Sequence, residues 1–478
     1  MERAATQCVE WIEQQQWQQK RFSIFCGRGN NGGDGLAIAR MLLQRNYSVA
    51  VYVADSTKHG SEDFEQNLQR LRDLSLEELH FINSTDNLPK LQKDGIIIDA
   101  LFGSGLNKPL LDTAAELVHF INSLNATVVS IDLPSGLFID KTSVGNVVVQ
   151  ADFTLTFQCE KLALLVQENA PFIGEVVVLD IGLLPDYLHT ISALRKTIEL
   201  STAKHIFKKR NNFSHKGTFG HALIVAGSYG KMGAAVLATK ACLRTGAGLT
   251  TAFIPNCGMY IMQTAVPEAM AISELNSSND FVISSLPDDV EKYSAIGIGP
   301  GIGRHEETQK SIAFIMRRYG KPLVIDADGL NCLAMQPDLL KNLPGNSIIT
   351  PHPKEFMRLF GEQANDFTQL ETACKKAIEL NIIIVLKGHH SLVALPDGRT
   401  FFNTTGNSGM AKGGSGDVLT GVITALLAQG YSPEEAATLG VFIHGAAADI
   451  AVKSIAPESL LASDIIHHLS DAFKEVSF

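Results

Sequence analysis

The 478-residue chain has no apolar run near the roughly 18–20 residues that cross a bilayer, so a membrane-spanning helix is not expected. Its start, Met1-Glu2-Arg3-Ala4, has no basic segment followed by an apolar core, which argues against a secretory signal. Cysteine is sparse: seven residues, an odd number, without a C-x-x-C pair. That argues against a disulfide framework or a zinc site and for a reducing compartment, so a cytoplasmic location is expected. Positive charge is also short, with a formal net charge of −10. A large nucleic-acid footprint needs a basic face, so neither nucleic acid nor membrane is expected as a partner. The one basic stretch, with Lys208, Lys209, Arg210 and Lys216, reads as a solvated linker face before a phosphate site. No G-x-x-x-x-G-K-[ST] is present, which excludes a P-loop.

What is present is globular: 45% hydrophobic and 19% charged residues, with length enough for two or three domains. From Phe22 short β-rich runs alternate with amphipathic helices. Phe22–Cys26, Ser48–Val53, Gly95–Ile98 and Thr127–Ile131 read as buried parallel strands, Leu36–Gln44 and Ala114–Ser123 as helices. Asp152–Gln158 and Glu175–Asp180 form a weaker β-rich tail, and Gly182-Leu183-Leu184-Pro185 closes the half. After poor patterning to about Asn212, strands recur at Ala222–Val225, Ala295–Ile298, Leu323–Ile325, Ser347–Ile349 and Ile382–Leu386. A hairpin, Leu392–Leu395 and Thr400–Asn403, turns at Pro396-Asp397-Gly398. Ser432-Pro433-Glu434-Glu435 starts a helix to about Val452 with a capping box. The expected fold class is α/β: a Rossmann-like parallel-sheet domain over 1–190, then a second α/β domain over 200–478.

The first strand runs into Gly27-Arg28-Gly29-Asn30-Asn31-Gly32-Gly33-Asp34-Gly35, and Asp55 ends the next strand. A dinucleotide loop is one reading. An aspartate near a helix N-terminus competes with phosphate, so a cation or sugar hydroxyls suit the loop as well. Asp99 precedes Gly103-Ser104-Gly105, and Asp132 opens Asp132-Leu133-Pro134-Ser135-Gly136, each at a strand's carboxyl end. Three such loops converge by topology. Asp132 can serve as general acid or base, with Asn31, Asp99 and Ser135 as hard oxygen ligands for a cation.

These three motifs, in this order and spacing, resemble the NAD(P)H-hydrate epimerases. The resemblance implies substrate contacts at Asn30, Asn31, Gly32, Gly33 and Asp34 and along Gly103-Ser104-Gly105-Leu106-Asn107-Lys108-Pro109. It also implies potassium ligands at Asn31, Asp99 and Ser135, and a substrate-contacting acid at Asp132. Met1-Glu2-Arg3-Ala4 resembles the interior of that family's first helical segment, so a preceding N-terminal arm is expected to be missing.

The densest motif is Gly406-Asn407-Ser408-Gly409-Met410-Ala411-Lys412-Gly413-Gly414-Ser415-Gly416-Asp417, leading into a helix. Its glycines let backbone N–H groups close round an anion at the helix N-terminus, with Asp417 placed to act as base. Other strand-end loops carry Lys387-Gly388-His389-His390-Ser391, Thr350-Pro351-His352-Pro353, and the carboxylates Asp326 and Asp328. Gly299-Pro300-Gly301-Ile302-Gly303 and Gly227 to Ala235 give close backbone approach. The pattern resembles ribokinase-like enzymes, and with Ser214-His215-Lys216-Gly217 it resembles the NAD(P)H-hydrate dehydratases. That implies dinucleotide contacts at Ala234, Gly303, His352 and Asp417, and adenine-nucleotide contacts at Lys387, Gly388, His389, His390, Ser391 and Gly416. Lys354 stands where relatives commonly have glycine. The implied activity is repair of hydrated NADH and NADPH: epimerisation, then dehydration driven by ADP or ATP, with K⁺ and Mg²⁺ as cofactors in a homo-oligomer. A small-molecule kinase and a degenerate nucleotide-binding module remain rivals.

Overall fold

The computed structural model describes the chain apart from residues 55–58, 75, 84–87, 89–90, 92–93, 185–192, 274–279, 285–286, 288 and 478. Asp55 and Pro185 therefore lie outside the described residues. Internal contacts divide the chain into two units: Met1–Ser192 with Asn365–Phe367, and Ala193–Ala364 with Thr368–Phe478.

Among the described residues the first unit holds seven strands: β1 (Arg21–Cys26), β2 (Ser48–Ala54), β3 (Leu79–Ile82), β4 (Ile96–Ala100), β5 (Thr127–Ile131), β6 (Phe153–Phe157) and β7 (Glu175–Leu179). They form one sheet in the order β3-β2-β1-β4-β5-β6-β7, every pairing parallel. The tail thus belongs to the sheet. Alternate side chains of β1 serve opposite layers. Phe22, Ile24 and Cys26 join the core under helices Glu2–Gln14, Asn30–Gln44 and Glu62–Arg72, while Phe25 joins Tyr52, Ile97 and Leu117 on the other face. The strand order reverses between β1 and β4, and a crevice for ligands opens at such a point.

Among its described residues the second unit holds ten strands: β8 (Arg195–Ile198), β9 (His221–Val225), β10 (Leu249–Phe253), β11 (Met270–Ile272), β12 (Ala295–Ile298), β13 (Leu323–Ile325), β14 (Ile348–Ile349), β15 (Ile383–Leu386), β16 (Leu392–Ala394) and β17 (Thr400–Asn403). Their order is β11-β10-β9-β12-β13-β14-β15-β16-β17-β8, parallel except where β16 runs against β15 and β17. Its reversal lies between β9 and β12. β8 comes from the stretch with poor patterning and pairs parallel with β17, Phe402 beside Thr197. Helices Met232–Thr245, Ser415–Ala428 and Pro433–Ala451 cover the sheet with small residues, among them Ala235, Ala238, Ala425 and Ala447. Ser432 caps the last of these as expected, its Oγ accepting from Glu435 N at 3.2 Å.

One local expectation needs correction. The helix after β1 begins at Asn30, not Leu36, so Asn30 to Asp34 form its first turns rather than a loop. Glycine is a poor helix former, which is why the segment reads as loop. Packing overrides that preference. A Cβ on Gly32 would lie 1.7 Å from the Gly27 carbonyl oxygen, so only glycine lets the helix start this close to β1. The basic stretch is pinned to its own unit. Lys208 pairs with Glu435 at 2.7 Å, and the Arg210 guanidinium lies 3.9 Å from the Phe219 ring centre. Among the described residues, no helix is long and apolar enough to cross a membrane. All seven cysteines are free.

Candidate active sites, one in each unit

In the first unit, the loops after β1, β4 and β5 meet. The first helical hydrogen bond runs from Gly33 N to Gly29 O at 3.0 Å, so the amides of Asn30, Asn31 and Gly32 have no helical acceptor. Asn31 Nδ2 is buried with no partner among the described residues. A Cβ on Gly103 would lie 3.1 Å from Asn31 Cγ and 2.9 Å from Asp132 Oδ2, so these two side chains flank one glycine. Asp132 has φ +68°, a left-handed conformation that costs free energy outside glycine and concentrates at functional sites. Its Oδ2 accepts from Ser104 N at 2.9 Å, and its Oδ1 lies 3.1 Å from Lys161 Nζ. Lys161 also donates to Thr156 Oγ1 at 2.7 Å and Phe157 O at 2.8 Å, so three oxygens surround its ammonium.

Asp99 is fully buried and saturated. Oδ1 accepts from Ser135 Oγ at 2.6 Å and Leu101 N at 3.2 Å, Oδ2 from Ser130 Oγ at 2.8 Å and Ser135 N at 2.9 Å. Burial raises its proton affinity, and these four bonds oppose the rise. Burial likewise pushes the Asp34 carboxyl up to about 7, with Asp132 and Asp63 acting the same way. Asn31, Asp99 and Ser135 supply the hard oxygens an alkali cation takes. The Asn31 amide nitrogen, without a partner among the described residues, leaves capacity for one, since oxygen and nitrogen of a carboxamide exchange by a flip. Of the loop from Gly103 to Pro109, Ser104, Gly105, Asn107, Lys108 and Pro109 are exposed, and Leu106 is half-buried.

In the second unit, helix Ser415–Ala428 starts from Gly414, whose φ is +97°. No side chain caps it, so Asp417 in the first turn is not an N-cap and accepts no hydrogen bond from a described residue. Burial, then Asp326, push its carboxyl up to about 7; Lys387 opposes them and Asp328 adds to the rise. Asp326, buried at the end of β13, accepts from Lys387 Nζ at 2.7 Å and from Thr420 Oγ1 at 2.8 Å. A Cβ on Gly416 would lie 3.3 Å from Lys387 Nζ and 3.5 Å from Asp326 Oδ2, so this glycine exposes backbone to both groups. His352 caps helix Pro353–Phe360: its Nδ1 accepts from Lys354 N at 3.1 Å and Glu355 N at 3.3 Å. An accepting Nδ1 leaves the proton on Nε2, 3.4 Å from Glu355 Oε1, and burial lowers the ring's proton affinity.

Further residues hold these loops. Asp328 Oδ2 takes Gly303 N at 3.0 Å and Lys231 Nζ at 3.1 Å, while a Cβ on Gly301 would lie 3.0 Å from the Ala234 methyl, so glycine leaves room for Ala234. Asp449 accepts from Gly406 N and Asn407 Nδ2, both at 2.8 Å. Ser415 Oγ lies 3.3 Å from His444 Nε2, and burial lowers that imidazole to about 4. In the loop after β15, Ser391 Oγ bonds the Gly388 carbonyl at 3.3 Å. His390 Nδ1 lies 3.2 Å from Asn403 O, and its ring packs edge-on against His389.

A family profile described as NAD(P)H-hydrate dehydratase matches residues 222–471, and one described as YjeF-related protein N-terminus matches residues 1–163. The bifunctional NAD(P)H-hydrate repair enzyme of Moorella thermoacetica is 36% identical over 483 residues, covering 98% of this chain and 91% of the relative. The chain belongs to the bifunctional NAD(P)H-hydrate repair enzymes. The Escherichia coli member is 33% identical, with 94% of this chain and 84% of that one covered. A solved ADP/ATP-dependent NAD(P)H-hydrate dehydratase from Bacillus subtilis, co-crystallised with ATP/Mg²⁺, matches at 31% identity and a TM-score of 0.51. It covers 59% of this chain and 98% of that one. A ribokinase-like protein from Enterococcus faecalis matches at 26% identity and a TM-score of 0.52, covering 60% and 99%.

For this repair-enzyme chain the structure groups Asn31, Gly103 and Asp132, ties Asp99 to Ser135, and gathers Gly416, Asp417, Lys387 and His352 round Asp326 and Glu355. Sequence reasoning missed Lys161, Glu355, Thr420, His444 and Asp449. The last three are polar residues inside apolar helices, a readable signal; Lys161 and Glu355 carry none. Among the described residues, no three His, Cys, Asp or Glu side chains are arranged to hold a metal ion.

Proposed function

We propose that the first unit interconverts the two epimers of hydrated NADH and NADPH and that the second dehydrates one of them, the S hydrate, at the expense of ADP or ATP. The observation that carries this reading is Asp417: a carboxyl at an uncapped, glycine-lined helix N-terminus that accepts no hydrogen bond from a described residue, its pKa raised to about 7. A base so tuned takes a hydroxyl proton near neutrality. The amides at Gly414 to Gly416 and the Lys387 ammonium would hold the phosphates, and His352, Gly303 and Ala234 the dinucleotide. Phosphorylating the substrate hydroxyl turns a poor leaving group into phosphate, whose loss, together with a proton from the neighbouring ring carbon, restores the double bond of the reduced ring. Mg²⁺, when bound, supplies charge neutralisation on the phosphates.

In the first unit Asp132 would handle the proton on the ring hydroxyl, with Lys161 and Ser104 N fixing it. The free amides of Asn30 to Gly32, with Asp34 and the loop Gly103 to Pro109, would hold the hydrate. Asn31, Asp99 and Ser135 would hold K⁺, supplying fixed positive charge beside the substrate. Seven free thiols, four of them buried, support a reducing, cytoplasmic setting. A homo-oligomer is proposed from the resemblance, and sedimentation would test it.

The test incubates the protein with separated epimers and ADP or ATP, following reduced-nicotinamide absorbance and free phosphate. Recovery of both epimers with stoichiometric phosphate release is expected. A stable phosphorylated product would show a small-molecule kinase instead.

A further inference from the structure

Lys387 follows β15 and Asp326 follows β13, two strands separated by β14, yet their side chains meet at 2.7 Å over the start of helix Ser415–Ala428. The ammonium is 3.3 Å from where a Gly416 Cβ would stand. That places it on the space a phosphate takes at the helix's first-turn amides. Glu355 Oε2 is 4.0 Å from it, so Asp326 is its close carboxylate. Asp326 in turn is held from a second side, because Thr420 donates to its other oxygen at 2.8 Å. The lysine therefore faces two anions for one ammonium, a fixed carboxylate behind it and an arriving phosphate before it.

We propose that Asp326 is a positioning residue that competes with the nucleotide for Lys387, holding the ammonium above Gly416 and yielding it when the polyphosphate arrives. This rests on the reading that the second unit binds an adenine nucleotide. The exchange reaches the base. The groups facing Asp417 are Asp326 and Lys387 from strand ends and Asp328 from helix Ala327–Met335; Glu355 and His352 lie behind Lys387, and His444 behind Ser415. When Lys387 turns to phosphate, Thr420 keeps the unpaired Asp326 beside Asp417. Like charge then raises the base's proton affinity as the nucleotide binds.

The test is calorimetric titration of Mg-ADP and Mg-ATP, without hydrate, into the wild type, Asp326→Asn and Thr420→Val. Asp326→Asn removes the competing charge but keeps an acceptor for Thr420, and nucleotide should bind about three- to tenfold tighter. Thr420→Val strips Asp326 of its second donor and leaves it wholly on Lys387, so binding should weaken by roughly threefold. A merely structural role would weaken both. The acid limb of the dehydration pH profile should also move to lower pH in Asp326→Asn. Weaker binding by a folded Asp326→Asn, or same-direction shifts in both variants, would overturn the proposal. If Asp326→Asn does not fold, tighter or unchanged binding by Thr420→Val overturns it. No binding by the wild type would remove the nucleotide reading, and this inference with it; wild-type binding with both variants weakened removes this inference alone.

Discussion

The two units place carboxylates at the ends of buried parallel strands and restrain them in opposite ways. In the first, Asp99 is saturated by four hydrogen bonds and Asp132 is gripped by Lys161 and Ser104 N, so both are fixed. In the second, Asp326 and Asp328 are gripped, while Asp417 accepts no hydrogen bond from a described residue and burial raises its proton affinity. The difference matches the two chemistries proposed. Epimerisation interconverts two isomers of the same hydrate, so a fixed charge in a fixed place serves both directions. Dehydration by phosphoryl transfer runs one way and needs a base able to accept a proton near neutrality.

The comparison breaks most sharply at Asp417. Asp417→Asn should lower dehydration by about 10³-fold while epimerisation persists, checked by absorbance recovery against epimer exchange. Retained dehydration would sink the proposed base. Asp132→Asn should cut epimerisation by about 10²-fold and leave dehydration of the S hydrate intact, giving recovery that stalls at half of a mixed sample. Lys161→Met leaves Asp132 without its cation, so epimerisation should fall roughly tenfold or more and stability by about 1–3 kcal/mol, read by denaturant unfolding. An unchanged unfolding curve would show that the grip is not structural.

The next test is pH. Asp417 works as base only when ionised, so dehydration should rise with pH through about 7, roughly tenfold between pH 6 and 8. Asp417→Asn should abolish that limb. The smallest effect falls on Asp34, whose folded-state affinity is also raised to about 7. A carboxyl raised on folding stabilises fully below its unfolded value near 4, and that stability is lost as pH rises through about 7. Asp34→Asn should therefore gain most over the wild type at pH 8, with the gain shrinking towards pH 4 in thermal unfolding.

The central strands were legible because they are short runs free of charge and rich in Val and Ile: Thr127–Ile131, Ala295–Ile298 and Leu323–Ile325 are found where the pattern puts them. Outer strands were not. β8 carries Arg195 and Lys196 outward, and only its pairing with β17 makes it a strand. The start of the Asn30 helix was masked by glycines, whose close approach to Gly27 is a tertiary fact. At the sites, strand-end loops could be gathered from topology, which is how Asp132 and His352 were found, while Asp417 was marked by the glycine-dense run leading into its helix. Lys161 could not, since its role depends on reach from β6 to β5. The His352 cap was also hidden, because an imidazole is not a common N-cap.

The pairing of β8 with β17 bears on how the protein can be divided. Thr400 N donates to Leu194 O at 2.8 Å, upstream of any point where the sequence pattern suggests the second unit begins. A fragment starting near Asn212 would leave Thr400–Asn403 as a bare sheet margin, with its backbone donors and acceptors open to another copy. Such margins template aggregation. A fragment starting at Ala193 keeps the strand, so the two pieces should part company in solubility before any assay of catalysis is run.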